Sequence, residues 1–395
     1  MVIKPFHFAS FPELIYGEGT LSKLSDHSLY KNTKKMALIV GGKSFVNSNQ
    51  FEILNNRLLK DKVHVEVVRV KHEPSPSFID QQVKILKPLD IDLVVAIGGG
   101  SVMDAGKAIS AMLLQNDSVM AYLEGVGEGK KHNGLKVPMI AVPTTSGTGS
   151  EATKNAVLSQ VGQNGFKKSL RHDNFVPNVA ILDPELMVTC PQSVTVASGL
   201  DALTQLLGAY VSTQATPLTD ALALSGIERF QEGFIGVCTN ASADINLRGH
   251  MAYASLMSGI VLANAGLGIV HGFASSVGGY FDIPHGVVCG TLLGEAVKLN
   301  IQLMNQDKDK YNEALKKYAK VGSLLTGSDE NDIEQSCQEL VKQLQGWIKD
   351  LKVQKLSEFG ITPAHFEKIV KITSNKNNPI PLTKDQMITI LEKRL

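Results

Sequence analysis

Along the first half of the chain, short apolar runs rich in β-branched residues alternate with helical patterns. Ala37–Val40, Val63–Val70, Leu93–Ile97, Met139–Val142 and Val179–Leu182 read as strands. Phe51–Leu59 and Val102–Leu114 space their apolar residues as helices that lay one face on a sheet. This alternation predicts a mainly parallel, doubly wound sheet. From about residue 191 the strand-like runs stop, and long segments rich in Ala, Leu, Gly and Met take over. A boundary near Cys190 and Pro191 follows, with an α/β domain over residues 1–190 and an all-helical domain over residues 191–395. Toward the C-terminus, Leu340, Leu344, Trp347, Ile348 and Leu351 recur with the period of a helix that buries one face, a stripe that belongs to a core. No internal repeat or low-complexity tract interrupts the pattern.

Composition narrows the classes. With 395 residues, the chain is long enough for about two to three domains. Lys+Arg 39 against Asp+Glu 38 gives a net charge of +1 without runs of one sign, which argues against a nucleic-acid surface and against disorder. The stretch from Gly249 to Phe281 carries no full charge, yet it holds His250, Asn264, His271 and several glycines, so a buried helical core is expected rather than a membrane span. Cys190, Cys238, Cys289 and Cys337 lie far apart and form no CxxC pair, so no zinc ribbon or redox motif can be drawn and a reducing compartment is expected. The first residues lack the apolar core of a secretion signal, and a cytoplasmic location is the expectation.

The glycines cluster. In IGGGSVMDAGKA, Gly98, Gly99 and Gly100 close an apolar strand and Ser101 opens a helix, which lets bare N–H groups and the positive end of a helix meet a phosphate. Ser101 and Asp104 read as a helix start of the capping-box type. The dinucleotide fingerprint GxGxxG fails at Met103, and Walker A spacing fails because Ala108 follows Lys107. A second loop, VPTTSGTGSE, offers the hydroxyls of Thr144, Thr145 and Thr148 after another apolar strand. Each loop alone also suits an ordinary turn. Together, at the carboxyl ends of successive strands, they favour a nucleotide.

Farther on, Asp201 and Gln205 sit four apart on an expected helix and share a face. His271 and His285 lie in an otherwise apolar, glycine-rich segment. A single buried histidine is ordinarily a satisfied core residue, but two of them with a buried aspartate suit a divalent cation, Zn²⁺ or Fe²⁺.

The ordered set GGGSVMDAGKAI, PTTSGTGSE, SGLDALT, NAGLGIVHGFA and PHG resembles the iron-containing, or group III, alcohol dehydrogenase family over nearly the whole chain. The resemblance implies a dehydroquinate synthase-like architecture: an N-terminal dinucleotide-binding α/β domain, an all-α C-terminal domain, and a metal in the cleft between them. It implies that Gly98, Gly99, Gly100, Ser101 and Asp104 form the pyrophosphate loop and its neighbour, that Thr144, Thr145 and Thr148 add cofactor contacts, and that Lys167 lies near the nicotinamide ribose. The family's metal ligands map to Asp201, His271 and His285, with Gln205 where the family has His and Ser275 where it carries a further His, four residues after His271. Gln is a weaker, neutral ligand. Branches resembling glycerol dehydrogenase manage with Asp and two His. After the strand MALIV, Gly42 stands where NAD-preferring members place Asp, and Lys43 follows, which leaves NAD and NADP both open.

The expected activity is a cytoplasmic NAD(P)-dependent dehydrogenase or reductase acting on a small alcohol, aldehyde or ketone, with His271 and Ser275 in the chemistry and proton relay. By family habit it assembles as a homo-dimer or larger homo-oligomer. Two rivals stand beside it: a metal-assisted lyase or cyclase resembling 3-dehydroquinate synthase, and a degenerate member whose metal site is impaired by Gln205 and Ser275.

Overall fold

The computed structural model describes residues 5–395. Among them eight strands occur: β1 (Glu13–Tyr16), β2 (Lys35–Val40), β3 (His64–Arg69), β4 (Leu93–Gly98), β5 (Met139–Pro143), β6 (Asn155–Gln160), β7 (Phe166–Arg171) and β8 (Val179–Leu182). Six form one parallel sheet in the order β1-β8-β5-β4-β2-β3, while β6 and β7 pair antiparallel as a separate hairpin. The inner strands β4, β5 and β8 are buried along their entire length, which is why they read as unbroken apolar runs rather than alternating ones.

Among the helices of this half are α1 (Ser28–Lys31), α2 (Asn49–Lys60), α3 (Pro76–Leu86) and α4 (Gly100–Met112). Ser48 and Ser75 start α2 and α3 by accepting the Phe51 and Phe78 N–H groups. Strand register aligns the carboxyl ends: Val40 pairs with Arg69 and Ile97, and Gly98 with Pro143. The loops at Gly42, Gly99 and Thr144 therefore leave one edge of the sheet. Because the chain runs from β2 out to β3 but from β4 toward β5 and β8, the order reverses between β2 and β4, where open α/β sheets form a ligand crevice.

After β8 the regular elements are helical: α5 (Gln192–Tyr210), α6 (Pro217–Cys238), α7 (Ile245–Ala265), α8 (Ile269–Tyr280), α9 (His285–Met304), α10 (Lys308–Thr326), α11 (Ile333–Asp350), α12 (Phe366–Ile372) and α13 (Lys384–Glu392), with short 3₁₀ turns between some of them. Buried residues occur all round α5, the pattern of a central helix. The charge-free stretch becomes α7 and α8, two largely buried helices that meet at 97°. On α11 the stripe is core: Leu340, Leu344, Trp347 and Ile348 are buried, and Trp347 packs edge-on against Phe230 and Phe234 of α6 at 5.7 and 5.4 Å between ring centroids.

The capping-box reading at Ser101 is corrected. Gly99 is the N-cap, Gly100 begins α4, and no side chain caps the helix. The Asp104 carboxylate instead accepts from Ser150 Oγ at 2.6 Å and pairs with Lys107 at 3.3 Å, because a buried ammonium one turn on needs a counter-charge.

Candidate functional site

At the sheet edge the two polar loops lean on each other. Thr144 N–H donates to Gly98 O at 2.9 Å. A Cβ on Gly99 would stand 3.2 Å from Thr145 Oγ1, and one on Gly100 would stand 3.0 Å from Thr148 Oγ1. Glycine at these positions thus lets the threonine loop close over the start of α4. The first turn of α4, left without a side-chain cap and carrying Ser101, presents N–H groups suited to an anion.

Behind these loops lies a buried polar network absent from the sequence reading. Lys107 Nζ donates to Ser150 O at 2.9 Å, Ser150 Oγ at 2.6 Å and Thr153 Oγ1 at 3.0 Å. Burial pulls the Lys107 pKa down, with Asp104 opposing. Glu151 is pushed up to about 7 by burial, and its Oε1 has no partner among the described residues. The i,i+3 spacing of Asp104 and Lys107 on a helix was the signal available.

At the far end of the β2 strand, Arg69 Nη1 donates to Gly42 O at 3.1 Å. Lys167, on β7, is nearly buried and forms an ion pair with Glu73, a partner that sequence reasoning missed. Burial works to raise the Glu73 carboxyl, but Lys167 outweighs it and holds the group below its ordinary value.

The helical half gathers a second group of side chains. Asp201 comes from α5, His271 from the first turn of α8, and His285 from the first residue of α9, where Pro284 is the N-cap. His271 Nε2 lies 3.2 Å and His285 Nε2 3.7 Å from the same Asp201 oxygen, Oδ1. Cys289, one turn along α9 from His285, joins them, and one donor atom from each of the four residues lies within 4.8 Å of every other. Burial raises the Asp201 carboxyl, but His285 and His271 reverse this and hold it at about 2. Burial lowers the His285 imidazole to about 4, so it is neutral at pH 7. Burial and the Asp201 charge push the Cys289 thiol well up.

This donor set fits a divalent cation. A carboxylate stands buried between two imidazole rings and a thiol, with both Nε2 atoms turned toward it, and the Nδ1 atoms of both rings are buried without a partner among the described residues. An anion so placed is costly without a counter-charge, and carboxylate, imidazole and sulfur are ordinary ligands for zinc or iron.

Gln205 and Ser275 are engaged differently. Gln205 Oε1 accepts from Ser258 Oγ at 2.9 Å, one turn beyond Asp201. The Ser275 hydroxyl donates back along α8 to His271 O at 2.9 Å, so the proton sought for a relay is directed to a helix carbonyl.

Comparison with known proteins identifies the family. The family profile described as "Iron-containing alcohol dehydrogenase" matches residues 12–184, and "Fe-containing alcohol dehydrogenase family, C-terminal" matches residues 195–395. Alcohol dehydrogenase 4 of Saccharomyces cerevisiae is 32% identical, covering 97% of this chain and 96% of its own. An NADPH-dependent butanol dehydrogenase of Clostridium saccharobutylicum is 29% identical over 96% of this chain and 95% of its own. A crystal structure of a 1,3-propanediol oxidoreductase superposes with a TM-score of 0.87 at 25% identity, covering 99% of this chain and 100% of that one. Matched by both profiles and by full-length relatives, the chain belongs to the iron-containing alcohol dehydrogenase family, oxidoreductases that act on alcohols.

Proposed function

We propose that the protein is a metal-dependent, NAD(P)-linked dehydrogenase that interconverts a small alcohol with its aldehyde or ketone. The observation that carries the reading is the convergence of two imidazole Nε2 atoms on Asp201 Oδ1, at 3.2 and 3.7 Å, in the same chain as two glycine- and threonine-rich loops at one sheet edge. Asp201, His271 and His285 would hold a divalent cation, which supplies Lewis acidity toward an alcohol or carbonyl oxygen. The first turn of α4, from Gly99 to Ser101, would bind a pyrophosphate, with Thr144, Thr145 and Thr148 closing over it. A nicotinamide dinucleotide supplies the hydride acceptor or donor. Lys167, held by Glu73, would orient the ribose.

NADP(H) is the cofactor we assign. Gly42 offers no carboxylate to repel a 2′-phosphate, and Arg69 anchors on its carbonyl beside Lys43. The butanol dehydrogenase relative is itself named as NADPH-dependent. A reducing, cytoplasmic setting and a homo-oligomeric assembly belong to the same proposal, and the four free cysteines suit the former.

The test is metal analysis of the purified chain, followed by steady-state kinetics on short primary alcohols and aldehydes with each of the four nicotinamide cofactors. Turnover that is abolished by a chelator and restored by a divalent cation is expected. Bound metal without turnover on any alcohol or aldehyde would sink the reading in favour of a non-redox reaction on the same centre.

A further inference from the structure

We propose that Cys289 is a metal ligand of this chain, its thiolate standing as the fourth protein donor with Asp201, His271 and His285. The inference rests on the proposed metal-dependent function and assigns a residue to the same centre.

Geometry carries it. Cys289 Sγ lies 3.6 Å from His271 Nε2 and 3.7 Å from His285 Nε2, while those nitrogens lie 3.2 and 3.7 Å from Asp201 Oδ1. A tetrahedral zinc ion with Zn–N, Zn–O and Zn–S bonds of ordinary length has ligand–ligand edges of about 3.3–3.6 Å. The four separations run from 3.2 to 3.7 Å, close to the span of those edges, and every pair among the four donor atoms lies within 4.8 Å. A thiol that merely filled space among apolar neighbours would not need to face two imidazole nitrogens at once.

The local fold explains why sulfur arrives there. His285 is the first residue of α9 and Cys289 is one turn on, so both project from one face. On α5, Gln205 takes the position one turn beyond Asp201, and its Oε1 accepts from Ser258 Oγ at 2.9 Å. On binding, the thiol gives up its proton to solvent and the thiolate donates to the cation, with no change of oxidation state. Sulfur favours zinc over the harder divalent ions.

The whole 395-residue chain is loaded with Zn²⁺, and with Co²⁺ as a spectroscopic substitute. Zinc-edge X-ray absorption is expected to show one sulfur scatterer at about 2.3 Å beside nitrogen and oxygen, and the cobalt form to show a thiolate-to-metal charge-transfer band. In Cys289→Ser both signatures vanish and zinc affinity falls by at least about ten- to a hundredfold, the loss already typical of removing a group that only supports a ligand. Zinc bound with nitrogen and oxygen scatterers alone overturns the assignment and leaves the proposed dehydrogenase intact. Failure of the wild-type chain to bind any divalent metal overturns both. Because the absorption measurement is made on the wild-type chain, it stands even if the serine variant does not fold.

Discussion

Lys107 and Asp104 form a buried ion pair on α4, Nζ to Oδ1 at 3.3 Å, with the lysine side chain wholly inaccessible to solvent. The ammonium also holds Ser150 and Thr153, so it ties the helix that follows the first glycine loop to the end of the second loop. Lys107→Met leaves the Asp104 carboxylate without its counter-charge and removes the tether. We expect a loss of about 3–5 kcal/mol in stability, read as a lower urea midpoint by far-UV circular dichroism, which follows the α/β half as well as the helical one. A midpoint equal to that of the wild type would mean that the pair contributes nothing to holding the loops.

Glu151 gives a pH dependence of defined sign. Its carboxyl is pushed up from 4.5 to about 7 by burial. The unfolded chain releases this proton first, so stability falls as pH rises from about 4.5 and levels off above about 7, by about 3 kcal/mol in all. Glu151→Gln keeps the shape without the charge. Its thermal midpoint is expected to exceed that of the wild type at pH 8 and to match it near pH 4.5. Equal gaps at both pH values would refute the assignment.

What the amino-acid pattern reveals depends on how each element is buried. Strands β2, β4, β5 and β8 stand out because nearly every side chain is inside. Strand β1 and the β6–β7 hairpin do not, since they are partly exposed and β7 reads FKKSLR, charged enough to pass for a loop. In the helical half, Asp201, His271 and His285 are visible as polar residues in apolar surroundings. Cys289 is hidden for a different reason. Intervals between cysteines are the wrong ruler, and the informative one is the four residues from His285 to Cys289, which is meaningful only once a helix is known to start at His285. The engagements of Gln205 with Ser258 and of Lys167 with Glu73 are long-range and leave no local trace.

Gly149 and Gly259 meet backbone to backbone, which joins the second polar loop to α7. Gly149 adopts φ +57°, and a Cβ on Gly259 would lie 2.8 Å from the Gly149 carbonyl carbon and 2.9 Å from its Cα. Main chain cannot swing aside as a side chain can. Gly259→Ala is therefore expected to push the loop off α7, costing about 1–3 kcal/mol and raising KM for the cofactor. Metal content should stay at the wild-type level, because Asp201, His271 and His285 lie on other helices. A variant with lowered metal content and unaltered cofactor KM would show that the loop does not serve the nucleotide.

Arg69 and Gly42 together set a test of cofactor choice that a single substitution would blur. Arg69 Nη1 already donates to Gly42 O at 3.1 Å, so a carboxylate introduced at Gly42 would find that guanidinium within easy reach. In Gly42→Asp the new charge is partly neutralised by Arg69, and kcat/KM with NADP(H) should fall only a few-fold. Arg69→Gln removes the cation but adds no repulsion, and about a tenfold loss with NADP(H) is expected, with NAD(H) little changed. In the double variant the carboxylate has no guanidinium to pair with, and its repulsion of the 2′-phosphate is fully felt. The two losses should therefore exceed additivity, with the double variant preferring NAD(H), because contacting residues couple where distant ones do not. Strictly additive losses in the four-variant cycle would show that Arg69 and the residue at 42 do not act on the same phosphate.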